Sequence, residues 1–165
     1  MVEMNTGYAK SIPGILKIVE FCLLLLSFSC ISDCCYGGYG YGTWRSRISF
    51  FLAVAVIGWL IVGAIFVFFF FKLTEKVPQV NFNLVVFITS IVFAVLLLIS
   101  ASLVAKIADD LNYGGKFRWA GWDTMVAGIA FGFFAMVAFI VDVVMHIGAI
   151  KGGGGGGGGD SAPKA

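Results

Sequence analysis

Two ionisable side chains, Asp142 and His146, lie one helical turn apart inside the last long apolar stretch of the chain, residues 125–150. An acid and an imidazole four residues apart share a helix face, where they can pair, hand on a proton, or lock onto a charge from another helix. In lipid such residues are expensive. A charge at the centre of a bilayer costs about 2.5–3.5 kcal/mol on insertion scales, so Asp142 is expected to be buried against partners, protonated, or wetted by a cavity. A second charged pair, Lys17 and Glu20, lies in the first apolar stretch. Three residues apart, these two are helix neighbours that can pair, with Lys17 also able to reach towards nearby headgroups.

The faces that carry these residues are legible from spacing. At roughly 100° per residue, Gly121, Thr124, Gly128, Gly132, Ala135, Phe139, Asp142 and His146 cluster about one line. Gly128 and Gly132 form a Gly-x-x-x-Gly step, and with Ala135 they let another helix come close, in this chain or in another. Glu20, Leu24, Ser27 and Ile31 trace a matching stripe, and Ser90, Ala94, Leu97, Ala101 and Ala105 a third. If the first and last apolar helices cross the membrane in opposite directions, Glu20 falls at about the same depth as Asp142 and His146. Lys17, Glu20, Asp142 and His146 can then form one intramembrane polar cluster. Three roles stand open for it: a structural lock, a proton- or substrate-coupling site, or unpaired side chains reaching the interface.

Composition sets the elements that must hold these groups. Of 165 residues, 60% are apolar and 12% charged, and the mean hydropathy is +1.00, values outside the range of soluble domains. The reading is an all-α integral membrane four-helix bundle, residues 13–150, with helices at about 13–32, 48–71, 84–105 and 124–150. Residues 1–12 read as an N-terminal tail, and residues 151–165, which contain eight consecutive glycines, as a disordered C-terminal tail. The first span opens at Pro13, suited to the first helical turn. A basic flank before its short uncharged core also resembles a signal peptide, although Glu20 is foreign to such cores. Residues 33–47 and 106–123 read as loops anchored at the interface by Tyr and Trp, and residues 72–83 as a tight polar turn.

Other chemistries lack their residues. The net charge of +2 is spread over every connection, which argues against nucleic acid. No nucleophile stands with a base, no phosphate loop appears, and no metal-ligand spacing is present, so neither catalysis nor a cofactor is expected. The four cysteines are all early, at Cys22, Cys30, Cys34 and Cys35. Cys34 and Cys35 are candidates for lipidation if they face the cytosol, or for interchain disulfides if they face an oxidising compartment. Six basic residues on the side of the termini against five on the other favour cytoplasmic termini by the positive-inside rule.

Four spans with short loops, the opening Pro13-Gly14-Ile15-Leu16-Lys17-Ile18-Val19-Glu20, and Asp142 in the fourth helix together resemble the MARVEL-domain family. The likeness is nearest to its plasmolipin, MAL and chemokine-like-factor branches and covers residues 11 to 150. Lys17 and Glu20 match the basic-x-x-acid opening of that family's first helix. The resemblance implies an M-shaped topology with cytoplasmic termini, in the plasma membrane or in secretory or endosomal vesicles. It further implies a role in membrane apposition, vesicle trafficking or cholesterol-rich microdomains, with membrane lipids and other membrane proteins, or further copies of the chain, as partners. Two rivals come from other classes: a small four-helix proton-coupled transporter using Glu20, and a junction-type structural membrane protein.

Overall fold

A computed structural model describes residues 6–36, 41–71, 82–112 and 121–152. Within lipid a backbone must satisfy its own polar groups, and uninterrupted helices do so. The described residues are almost all helical. A short helix α1 (Thr6–Ala9) precedes four long ones: α2 (Ile12–Tyr36), α3 (Tyr41–Phe70), α4 (Phe82–Asn112) and α5 (Trp122–Gly152). All four are long and apolar enough to cross a membrane. The molecule is an all-α membrane four-helix bundle.

The helices form a ring in which each packs on its chain neighbour and α5 closes against α2, with the most extensive contacts at α2/α5 and α4/α5. Their buried positions explain the arrangement. They run Lys17, Glu20, Leu24, Ser27, Ile31 on α2; Ile48, Phe51, Ala55, Gly58, Val62 on α3; Val86, Ser90, Phe93, Leu97 on α4; and Met125, Gly128, Gly132, Ala135, Phe139, Asp142 on α5. Each series alternates steps of three and four, the repeat that keeps one seam of a helix facing its neighbours in a supercoiled bundle. Large apolar side chains such as Ile57, Leu60, Val95, Phe134 and Val144 are left on the outside, as a lipid solvent permits.

The helices run past the apolar cores from which residues 13–32, 48–71, 84–105 and 124–150 were read. α4 continues seven residues beyond Ala105 because its seam continues. Ile107 and Ala108 are buried, while Lys106, Asp109 and Asp110 sit on the exposed face as ion pairs. The Trp122 indole donates to the Ala108 carbonyl at 3.3 Å and ties that end to the start of α5. Much of the Gly- and Tyr-rich stretch 33–47 is also helical: α2 extends to Tyr36 and α3 begins at Tyr41. Trp44 packs against the core, so burial outweighs the weak helix propensity of Gly42. The side chains of Cys34 and Cys35 lie outside the described residues, as do residues 72–81, 113–120 and 153–165.

Candidate functional site

A buried ionic contact joins the first and last long helices of the bundle. The Lys17 ammonium donates to Glu20 Oε2 at 2.8 Å and to Asp142 Oδ2 at 2.8 Å. All three side chains are sealed from solvent, at 2, 0 and 1% exposure. Ser90 brings α4 into the group, its hydroxyl lying 2.5 Å from Asp142 Oδ2 and 2.9 Å from the Val86 carbonyl oxygen. The Phe139 ring lies beneath the ammonium, 5.6 Å from Nζ to centroid, and stacks on Phe93. One cation thus faces two carboxyl groups and an aromatic face, and the hydroxyl of a third helix joins through Asp142.

This arrangement follows from the seams. Lys17 and Glu20 occupy successive core positions of α2, and Asp142 the last core position before the terminal end of α5, so antiparallel packing puts them level. Removing charges from water is costly, and only the mutual attraction and hydrogen bonds of the group offset it. Glu20 Oε1 and Asp142 Oδ1 accept no hydrogen bond among the described residues.

His146 sits at the edge. Its side chain is 16% exposed, and Nδ1 lies 2.8 Å from the Asp142 carbonyl oxygen of its own helix and 3.5 Å from Asp142 Oδ1. A carbonyl only accepts, so Nδ1 carries the hydrogen of that bond. The imidazole links the cluster to the terminal face without joining its core.

Gly128, Gly132 and Ala135 lie at the centre of the bundle, within one chain. A β-carbon on Gly128 would come within 2.8 Å of Ile31 Cγ1, and one on Gly132 within 3.1 Å of the Phe51 ring. That proximity lets the Ser27 hydroxyl donate across the helix pair to the Gly128 carbonyl at 2.8 Å. Cys22 and Cys30 are free thiols. Among the described residues no group of three or more His, Cys, Asp or Glu could hold a metal ion.

Two participants escaped the sequence reading. Ser90 was placed on a packing stripe without being assigned to the polar group, although its position eight residues into α4 matches the depth of Asp142, ten residues from the end of α5. Tyr8, read as part of a tail, stacks on Phe69 of α3 at 5.1 Å. An aromatic residue shortly before the first span was the available signal.

No solved structure matches the chain. A family model described as "MARVEL: Membrane-associating domain" matches residues 8–145, from the turn of Tyr8 to just short of His146. That span takes in α2, α3, α4 and most of α5, with Lys17, Glu20, Ser90 and Asp142 of the polar cluster, and the chain belongs to the MARVEL family.

Proposed function

We propose that this multi-pass protein organises the membrane around it, gathering lipids and neighbouring membrane proteins into microdomains or sites of apposition in vesicle traffic, and that it performs no catalysis. The observation that carries this reading is the distribution of surface. Large apolar side chains face outward along every long helix, while the interior of the bundle is filled by Leu24, Ile31, Phe51, Val62, Leu97 and Phe139. The working surface is therefore the one that meets lipid and other transmembrane helices. Lys17, Glu20 and Asp142 serve it as an internal lock that keeps α2 against α5. Crosslinking in native membranes combined with co-fractionation tests the proposal: the protein should enrich in ordered-lipid fractions with a reproducible set of crosslinked neighbours. An even spread across fractions with random neighbours would refute it.

The transporter reading needs Glu20 free to exchange a proton, and the 2.8 Å bond to Lys17 weighs against it. Proton-coupled uptake of a fluorescent cation into liposomes is expected to be absent. For orientation we propose cytoplasmic termini. Cysteines placed singly at Thr74 and Gly115 in a cysteine-free background should react with an impermeant maleimide on intact cells at Gly115 and not at Thr74. The opposite pattern would invert the protein and make lipidation the leading reading for Cys34 and Cys35.

A further inference from the structure

We infer that Tyr8, carried on α1 and folded back at Gly14, is a lid that closes the terminal end of the bundle over the Lys17, Glu20 and Asp142 cluster. The cluster is shallow. Lys17 lies five residues from the start of α2, about 8 Å along the axis at 1.5 Å per residue, so water at that end is within two turns of the residue that holds Glu20 and Asp142.

The chain before α2 is built to cover it. A helix of four residues does not persist alone, and α1 is held by specific contacts. The Tyr8 ring stacks on Phe69 at 5.1 Å with an interplanar angle of 14°, and approaches Phe66 at 6.1 Å. Ser11 forms the corner. Its backbone N–H and its hydroxyl both donate to the Tyr8 carbonyl, at 2.9 and 2.6 Å. Its side-chain oxygen accepts from the Gly14 N–H at 3.3 Å, the bond of an N-cap residue to the third position of its helix. Gly14 is what allows the fold-back, because a β-carbon there would stand 2.0 Å from the Tyr8 carbonyl oxygen. No other residue fits against that backbone.

The phenol is also within electrostatic reach of the cluster. Burial, then the carboxyl groups of Asp142 and Glu20, push it up to about 12, so Tyr8 closes the site as a neutral group. At this end Tyr8 of α1 packs on Phe66 and Phe69 of α3, while Lys17 and Glu20 of α2, Ser90 of α4 and Asp142 of α5 form the cluster, with His146 at the rim.

The lid is testable apart from the organising role. In a cysteine-free background of the full chain, Ser90→Cys reports the cluster and Ser100→Cys, equally buried on α4, reports the far half. Both are exposed to a small water-soluble methanethiosulfonate in permeabilised vesicles, so that orientation does not matter. Tyr8→Ala and Gly14→Val should each speed labelling at position 90 by about tenfold or more, as expected when a local closure is removed, and leave position 100 unchanged. Tyr8→Phe, which keeps the stacked ring, should leave both slow. Unchanged labelling at position 90 would overturn the lid, and so would equal acceleration at both positions, which would make α1 a general brace. Because Ser90→Cys alters the cluster, deuterium uptake over the first three turns of α2 provides a second reading with Ser90 in place. It should rise in Tyr8→Ala and stay at the parent level in Tyr8→Phe; no rise in Tyr8→Ala contradicts the proposal.

Discussion

The two halves of the bundle interior hold the same helices together by different means. Towards the termini, α2 meets α5 through Lys17, Glu20 and Asp142, with Ser90 of α4 joining them. Towards the opposite end, the same two helices meet through Ile31, Cys30 and Gly128, where contact depends on how closely the backbones approach. Ser27 donates to the Gly128 carbonyl there. Within lipid there is no hydrophobic drive to bring helices together, so close packing and interhelical hydrogen bonds must do it. The glycine half sets the distance between α2 and α5. The charged half sets which residues stand opposite each other, since a one-turn slip would leave buried charges without partners.

Each half can be broken separately. The largest loss is expected from Lys17→Met, which leaves the Glu20 and Asp142 carboxyl groups facing each other without their cation. Removing one partner from a buried ionic group costs about 3–5 kcal/mol, to be read from unfolding in a detergent titration. Converting Glu20 and Asp142 to Leu as well should recover that loss, because apolar replacement of a whole buried ionic group is neutral or stabilising and Ser90 keeps the Val86 carbonyl as an acceptor. Within the same half, Glu20→Lys should lower folded yield more than Asp142→Leu: lysine sets a second cation beside Lys17, whereas leucine removes a desolvation cost. Equal or reversed yields would mean that the two acids do not share one cation.

In the glycine half the effects are smaller. Gly128→Leu drives a side chain into Ile31 and Cys30 and should cost about 1–3 kcal/mol, the range for overpacking a filled interior. Ser27→Ala deletes one interhelical hydrogen bond, about 0.6 kcal/mol on average in membrane proteins. If Ser27→Ala cost as much as Lys17→Met in the same titration, the contrast between the halves would be lost.

Much of this contrast is legible in the sequence. Four apolar runs announce the helices, and the three-and-four spacing of Glu20, Leu24, Ser27 and Ile31, and of Gly128, Gly132, Ala135, Phe139 and Asp142, marks faces that the structure buries. Helix length and direction then bring Glu20 level with Asp142. What is hidden depends on tertiary contact. Lys106 looks like the end of a span because charge is read as exit from lipid, yet the helix continues with that charge on its outer face and Ile107 inside. Residues 41–47 look like part of a loop because propensity is local, while the packing of Trp44 is not. Ser90 carries no charge to single it out, and Gly121 and Thr124 fall on the predicted line only because an ideal 3.6-residue helix drifts from the 3.5-residue seam, which buries Met125 instead.

The lock between α2 and α5 is tested most directly by a double-mutant cycle of Lys17→Met and Asp142→Leu in a Glu20→Leu background, where no third charge confuses the pair. Each single change there strands one buried charge, and the double change strands none. The expected coupling is about 2–3 kcal/mol, with the double variant more stable than either single one. Costs that add within about 0.3–0.5 kcal/mol, as independent sites do, would show that Lys17 and Asp142 do not hold the two helices together.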